Sequence, residues 1–183
     1  SLAGIAYRTE TVNLLEREHR APAHLDRNPQ GFVPVLDIDG HRLTQSLAIL
    51  SYLDSTRGLG LLPSDPAAKA KAEALAYSIA VDLHPVCNLS VAAHATGGQE
   101  PARTAWMQHF IRPALVAFET MLVSFDQSPY ATGDAPGLAD LCLIPQLYNA
   151  HRWKADIDDC RRIKAIEAAC ANNPAFAAAH PDA

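Results

Sequence analysis

A valine followed by a proline, between a turn and a predicted strand, is the first pair whose backbone could contact a ligand: Val33-Pro34. Proline within a sheet has no amide to donate to the ladder, so it is usually confined to an edge. A lone pair of this kind most often marks an ordinary edge strand. A cis bond between the two residues would turn the Val33 amide and carbonyl outward, where an extended peptide could pair with them as an added strand.

A second candidate contact comes twelve residues after Val33, at Gln45-Ser46, where we predict that a helix begins. The free amides of a helix start bind anions, and the Ser46 hydroxyl would add a donor, so a carboxylate could bind there. Taken alone, Ser46 fits a simple N-cap equally well. Together with the edge at Val33, the helix start fits a short acidic peptide such as glutathione.

Composition narrows the class of function. The net charge is -5 and the basic residues form no cluster, which argues against nucleic acid or an anionic membrane as partner. No apolar run has the length of a membrane span and no secretory signal is visible, so we predict a cytoplasmic protein that acts on small molecules. The histidines form no HExxH or HxxxH pair, and no metal site is predicted. The cysteines form no CxxC pair and are predicted to be buried, reduced thiols: Cys87, Cys142, Cys160 and Cys170.

The candidate contacts lie in a short segment of mixed α/β character, residues 1–57. Residues 58–65 are rich in glycine and proline and are the predicted linker to an all-helical domain over residues 66–183. In the first domain Asp39 and Gly40 favour a tight hairpin turn. We predict strands over Thr9–Leu15, Val33–Asp37 and Arg42–Thr44, and helices over Pro22–Arg27 and from Ser46 onward.

Apolar residues spaced by three and four predict the helices of the second domain. An alanine-rich run from Ala67 to about His94 has high helix propensity, and a kink is predicted before Pro85. Two later helices have this spacing. The first has an apolar face formed by Ile111, Leu115, Phe118, Leu122 and Phe125. In the second, the same spacing is repeated by Leu138, Leu141, Pro145, Tyr148 and Arg152.

Several segments resemble those of a known family. NPQGFVPVL and LTQSLAILSYLD resemble the glutathione-binding core of the thioredoxin-like domain in glutathione transferases, and the Gln45-Ser46 pair is similar to the zeta class in particular. DLHPVCNLSV, GDAPGLADLCLIPQLYNAHRW and AACANNPAFAAAHP are similar to zeta-class maleylacetoacetate isomerases. The resemblance implies an α/β thioredoxin-like N-terminal domain, an all-α C-terminal domain, glutathione as cofactor and assembly as a homodimer.

The resemblance also implies which residues bind ligands. Arg152 matches the arginine that holds a substrate carboxylate, although by itself it fits a solvated arginine stabilised by a helix C-terminus. His84, which precedes Pro85, fits a ligand contact and a structural histidine equally. The implied glutathione contacts are Val33, Gln45 and Ser46, and beyond these His19, His84, Asn88 and Ser90.

The chain departs from the family pattern in two places. Gly137 stands where the family usually has Ser or Thr, so the reciprocal cap with Asp140 loses its hydroxyl, although Asp140 is still expected to face the helix start. Residues 1–5 match the end of the family's first helix. The first strand, most of that helix and the serine-rich motif that stabilises the glutathione thiolate are therefore expected upstream of Ser1, and no catalytic residue is assigned within the chain.

The activity implied by the resemblance is glutathione-dependent cis-trans isomerisation of an unsaturated dicarboxylate, maleylacetoacetate, in aromatic amino-acid catabolism. Glutathione thiolate would add to the substrate, the former double bond would rotate, and the thiolate would leave. Three alternatives remain open: a maleylpyruvate isomerase, a transferase that conjugates glutathione to electrophiles, and a non-catalytic glutathione-transferase-like interaction module.

Overall fold

The computed structural model describes residues 2–126 and 129–181. Ser1 and residues 182–183, which the predicted domains include, lie outside the described residues. The chain forms two compact units, Ser1–Leu59 and Gly60–Ala183. Leu61 of the predicted linker is buried in the second unit, where its carbonyl accepts a hydrogen bond from the Leu138 amide at 2.8 Å.

A two-stranded antiparallel hairpin lies in the first unit and consists of β1 (Val35–Ile38) and β2 (His41–Thr44). The two residues between the strands, Asp39 and Gly40, have φ values of 52° and 78°. Positive φ at both positions is what a type I′ turn requires, so the hairpin predicted from this pair is confirmed. β1 begins later than predicted, after Pro34, which has no amide to donate.

The predicted strand over Thr9–Leu15 is wrong, because the hairpin is the only sheet among the described residues. Asn13 accounts for the turn that forms at the end of this segment. Its Oδ1 accepts hydrogen bonds from the amides of Leu15 at 3.0 Å and Glu16 at 3.2 Å. A side chain that binds neighbouring amides in this way favours a turn over an extended strand.

Two α-helices complete the first unit. α1 (Pro22–Leu25) follows a 3₁₀ turn, Glu18–Arg20, and ends before the predicted Arg27. α2 (Ser46–Arg57) ends at Gly58, whose φ of 63° lies in the left-handed region that closes helices. The start of α2 follows β2 directly, which places it at the same end of the hairpin as the start of β1.

The second unit is helical, with its helices packed around one apolar core. The predicted face of its longest helix is confirmed, since Ile111, Leu115 and Phe118 are buried. Leu122, in the 3₁₀ turn after the helix ends at Met121, is also buried, and Phe125 is half-buried. The described α-helices are α3 (Pro66–Tyr77), α4 (His84–Val86), α5 (Leu89–Thr96), α6 (Ala102–Met121), α7 (Leu138–Arg152), α8 (Arg161–Ala171) and α9 (Pro174–Ala177).

The chain bends near Pro85, although the bend follows Val86 and does not precede the proline as predicted. A π-helical segment, Ser78–Leu83, links α3 to α4, and the axis of Pro66–Val86 makes an angle of 42° with that of α5. Over the part of the chain that the structure describes, no single helix has the length and apolarity of a membrane span. This bent pair meets both requirements only when its two arms are taken together.

The buried face of α7 differs from the predicted one, of which Leu138 alone is buried. Leu143, Leu147 and Ala150 are buried, whereas Tyr148 is partly exposed and Arg152 is exposed. Both sets of residues have helical spacing, so they differ only by a rotation about the helix axis. That rotation is determined by packing against α3, α6 and α8 and not by the sequence of α7 alone.

A buried carboxylate holds the start of α7. Asp140 accepts hydrogen bonds from the amides of Gly137 at 2.8 Å and Ala131 at 2.9 Å, so the prediction that it faces this helix start is confirmed. Burial raises the pKa of Asp140, and its bonds to the two amides oppose that shift. A Cβ at position 137 would lie 3.0 Å from Thr132 Oγ1 and 3.1 Å from the Leu61 carbonyl oxygen. Glycine fits there without displacing either neighbour.

Candidate functional site

Val33 lies just before β1, and its backbone amide and carbonyl are unpaired within the part of the chain that the structure describes. Its bond to Pro34 is cis, as predicted. The residue is 44% exposed, and among the described residues neither its amide nor its carbonyl has a hydrogen-bond partner. Both groups are therefore available to pair with an extended peptide.

The backbone amides at the start of α2 also have no side-chain cap from the described residues. Ser46 is the first residue of the helix, and Gln45 takes the N-cap position with φ 69° and ψ 117°, a conformation rare for a residue other than glycine. The side-chain Nε2 of Gln45 donates a hydrogen bond to Gln30 Oε1 at 2.7 Å and does not cap α2. With no side-chain cap, the first-turn amides can bind an anion, and Ser46 is exposed beside them.

His19, a further predicted glutathione contact, lies in the 3₁₀ turn Glu18–Arg20. Its Nδ1 is buried and has no hydrogen-bond partner within the described residues. A buried polar atom left unpaired costs about 1 to 3 kcal/mol, so a ligand or water that bonded to it would be stabilising.

The His19 carbonyl oxygen would lie 2.9 Å from a Cβ at position 31, where Gly31 has a φ of 63°. Glycine is needed there for both reasons.

Hairpin register brings the first-unit contacts together. Because Val35 pairs with Thr44, Val33 and Gln45 lie just outside the same end of the hairpin. Gln30, which bonds to Gln45, was missed by the sequence analysis. Its only sequence signal is a polar residue in the turn NPQG, and such residues are common in turns for reasons unrelated to binding.

Three predicted contacts of the second unit follow one another between α4 and α5. His84 is exposed and begins α4. Asn88 caps α5, since its Oδ1 accepts hydrogen bonds from the Ser90 amide at 3.0 Å and the Ser90 hydroxyl at 2.7 Å. Asn88 and Ser90 therefore have a structural role as a helix cap, and the Asn88 Nδ2 is the part of the pair that this role does not use.

Arg152, the predicted substrate contact, is the exposed last residue of α7. Its guanidinium carbon lies 5.6 Å from the centroid of the buried Trp153 ring, and that of Arg103 lies 5.4 Å from the same centroid. Arg103 is paired with Glu100 at 2.8 Å, whereas Arg152 has no carboxylate partner among residues 2–126 and 129–181. The aromatic ring thus supports a guanidinium whose donors remain open to an anion.

The four cysteines are unsuited to act as nucleophiles. All are free, Cys142 is half-buried and the others are buried. Burial raises the pKa of Cys87 and Cys142 to about 11 and that of Cys170 to about 12, so these thiols are protonated near neutral pH. Within the described ranges, no group of three His, Cys, Asp or Glu side chains could hold a metal ion.

Comparison with known proteins decides the family. Residues 1–55 match the model of the glutathione S-transferase N-terminal domain. The chain is 54% identical over 186 residues to maleylacetoacetate isomerase of Rhizobium meliloti (strain 1021), a match that covers 100% of this chain and 87% of that protein. It also superposes, with a TM-score of 0.91 and 34% identity over 100% of this chain and 90% of the other, on a holo maleylpyruvate isomerase described as a bacterial zeta-class glutathione S-transferase. The chain belongs to the zeta class of glutathione transferases.

The fold predicted from the zeta-class resemblance is therefore confirmed, with a small thioredoxin-like first domain and a helical second one. Maleylacetoacetate isomerase of Anaeromyxobacter dehalogenans 2CP-1, solved with glutathione in its active site, is 38% identical with a TM-score of 0.87 over 99% of this chain and 86% of the other. The same enzyme has been solved with dicarboxyethyl glutathione and citrate in the active site (37% identity, TM-score 0.87, 99% and 85% covered).

Proposed function

We propose that this zeta-class protein is a glutathione-dependent cis-trans isomerase of the maleylacetoacetate type. The observation that carries the proposal is the presence of two open backbone sites at one end of the hairpin, the Val33 edge and the start of α2. The first fits an extended peptide and the second a carboxylate, and glutathione has both. The chain that contains them is 54% identical over its length to a maleylacetoacetate isomerase.

Glutathione binding is assigned first to the first unit. The peptide backbone of the ligand pairs with Val33, and one of its carboxylates accepts hydrogen bonds from the first-turn amides of α2 and the Ser46 hydroxyl. The contact from His19 stays a prediction. Contacts from Gln45, His84, Asn88 and Ser90 stay predictions, and we assign stabilisation of the thiolate to no residue of this chain.

The reaction consists of addition and elimination at one carbon-carbon bond. The glutathione sulfur forms a bond to one alkene carbon, and the electron pair of the double bond moves onto the neighbouring carbonyl as an enolate. The remaining single bond rotates. The enolate then restores the double bond in the trans form and expels the thiolate, so glutathione is recovered and nothing is oxidised or reduced.

Arg152 is assigned to the substrate. A guanidinium offers a carboxylate two parallel hydrogen bonds, which fix direction as well as distance. Its position over Trp153 and its lack of an ion-pair partner among the described residues support this role. An anchored carboxylate would restrict rotation to the central bond of the substrate.

Maleylpyruvate is the second candidate substrate, because the structural neighbour with a TM-score of 0.91 is a maleylpyruvate isomerase. Proton NMR of each cis substrate with the purified protein separates the two. We expect conversion to the trans isomer with glutathione and none with S-methylglutathione, whose sulfur cannot add to the substrate. Conversion without glutathione would contradict the mechanism.

The same preparation tests the remaining alternatives. Conjugation of glutathione to a chlorinated aromatic, without isomerisation, would assign the protein to the electrophile-conjugating transferases. No turnover and no retention on glutathione resin would favour a non-catalytic interaction module and would overturn the proposal.

We further propose a cytoplasmic homodimer. The partly exposed apolar side chains on the π-helical segment and α5, Val81, Leu89 and Val91, support a self-association surface. Four free cysteines fit a reducing compartment. Sedimentation equilibrium measures the assembly, and a monomer at micromolar concentration would contradict it. Cell fractionation tests the location.

A further inference from the structure

The carbonyl oxygen of Phe32 accepts two hydrogen bonds from side chains. It lies 3.0 Å from His24 Nε2 and 2.9 Å from Asn28 Nδ2. Both donor residues are buried, with exposed fractions of 7% for His24 and 2% for Asn28. A carbonyl oxygen can only accept, so the Nε2 of His24 carries the hydrogen of this bond. Two donors occupy both lone pairs of the oxygen and fix the direction of the carbonyl.

The amide of the same peptide unit belongs to Val33. The Phe32-Val33 bond is trans, and in a planar trans peptide the carbonyl and the N–H point in opposite directions. Because His24 and Asn28 hold the carbonyl on the buried side, the Val33 N–H is directed to the other side. This agrees with the exposure of Val33 and with its unpaired amide.

Asn28 is fixed by the turn that it stabilises. Its Oδ1 accepts a hydrogen bond from the Gln30 amide at 3.1 Å, and its own carbonyl accepts one from the Gly31 amide at 2.8 Å. The Gln30 side chain in turn accepts the bond from Gln45. A single turn therefore connects the Val33 peptide to the residue that precedes α2.

We propose that His24 and Asn28 are positioning residues for glutathione, which orient the Val33 amide by holding the carbonyl of its peptide unit. The inference rests on the proposed function for the identity of the ligand. Both residues act through Phe32 and from the interior. A binding group that is already oriented in the free protein need not be ordered when the ligand binds, and affinity rises accordingly.

Three variants separate the hydrogen-bond donor from the packing of the side chain. His24→Leu removes the donor, and His24→Gln restores an N–H of similar reach. Asn28→Asp keeps the acceptor for the Gln30 amide but places an oxygen against the Phe32 carbonyl. By calorimetric titration, we expect the glutathione Kd to rise roughly 3- to 10-fold in H24L and N28D, and by less than about twofold in H24Q.

Steady-state kinetics give a second readout that a purely structural role would not produce. The KM for glutathione should rise by roughly the same 3- to 10-fold in H24L and N28D while kcat at saturating glutathione changes little, as for a loss of ground-state binding. Thermal melting first establishes that each variant is folded, and N28D carries the test should H24L not fold.

Each outcome decides one question. Wild-type affinity in folded H24L or N28D overturns the positioning role, and so does a Kd for H24Q as high as that for H24L. Failure of the unaltered protein to bind glutathione would instead overturn the proposed function, and this inference with it.

Discussion

The two units of the molecule are stabilised in different ways. Among the described residues, the first unit buries one large apolar side chain, Ile49, and two polar ones, His24 and Asn28. The second unit buries an apolar cluster to which α3, α5, α6, α7 and α8 all contribute. Burial of apolar area stabilises without specifying direction, whereas hydrogen bonds specify where a peptide group points. The proposed binding edge therefore depends on directed hydrogen bonds, whereas the helical unit depends mainly on packing.

The largest effect should come from the apolar core. Phe118 is fully buried in the second unit, and Phe118→Ala should lower the free energy of unfolding by about 3 to 5 kcal/mol, because it leaves a cavity. Urea unfolding measures this. Val123→Ala, at a side chain 62% exposed, is the matched control, and we expect a change within about 0.5 kcal/mol. Equal effects at the two positions would contradict the conclusion that the second unit is stabilised mainly by packing.

Asp140 tests whether a directed bond also matters in the second unit. Asp140→Ala should cost at least about 2 kcal/mol, since two buried amides each lose an acceptor at about 1 to 3 kcal/mol. Asp134→Ala, at an exposed carboxylate nearby, should have little effect. Chemical denaturation of both variants measures the difference. A neutral Asp140→Ala would mean that the apolar core alone positions α7.

The same carboxylate predicts a dependence on pH. Burial raises the pKa of Asp140, so the folded state holds this proton more tightly than the unfolded chain. Stability from this group is therefore full below the unfolded pKa of about 3.9 and is lost as pH rises through the folded pKa. Relative to Asp140→Asn, which does not titrate, the wild type should become less stable as pH rises. Denaturant titrations across pH measure this, and an opposite slope would contradict the assignment.

Arg152 belongs to the helical unit, which is stabilised mainly by packing, but it is assigned to binding of the substrate carboxylate. Arg152→Leu should lower isomerisation roughly 10- to 100-fold, the effect of losing a charge-assisted anchor, while leaving glutathione affinity intact. Arg161→Leu, at an exposed arginine of α8, is the control. Turnover equal to wild type would make Arg152 a surface residue.

Ser46 tests the anion site of the first unit. Ser46→Ala should weaken glutathione binding by about 1 to 3 kcal/mol, the range for a hydrogen bond to a charged group left unmade. Ser51→Ala changes an exposed serine in the same helix and should not alter binding. Calorimetry decides the matter, and unchanged affinity in Ser46→Ala would remove the carboxylate assignment.

The smallest effect separates the two roles of Asn88. Asn88→Gly should lower stability by only a few tenths of a kcal/mol, because glycine is also accepted as a helix cap. A fall in glutathione affinity of about 3-fold would therefore indicate that a ligand contact has been lost. Asn173→Gly, at the cap of α9, changes the same kind of residue outside the proposed site. Equal glutathione affinity in both variants would leave Asn88 with its structural role alone.

Features that depend on adjacent residues were predictable from the sequence. Asp39 and Gly40 adopt the turn that their types favour, and the helical run bends close to Pro85, although after it and not before it. The glutathione site was harder to predict, because a Val-Pro pair such as Val33-Pro34 is common at edge strands and a serine such as Ser46 is common at helix N-caps. The family resemblance, and not their chemistry alone, made them candidates.

Residues close together along the chain were enough to predict the Asp39-Gly40 turn, most helices and the buried face of α6, although not the turn at Asn13. Which face of α7 is buried depends on tertiary packing, because helix rotation is set by contacts with other elements. The hydrogen bond from the Ala131 amide to Asp140, and those from His24 and Asn28 to the Phe32 carbonyl, likewise form only in the folded chain. A hydrogen bond needs distance and direction together, and residue types along a chain specify neither until the chain has folded.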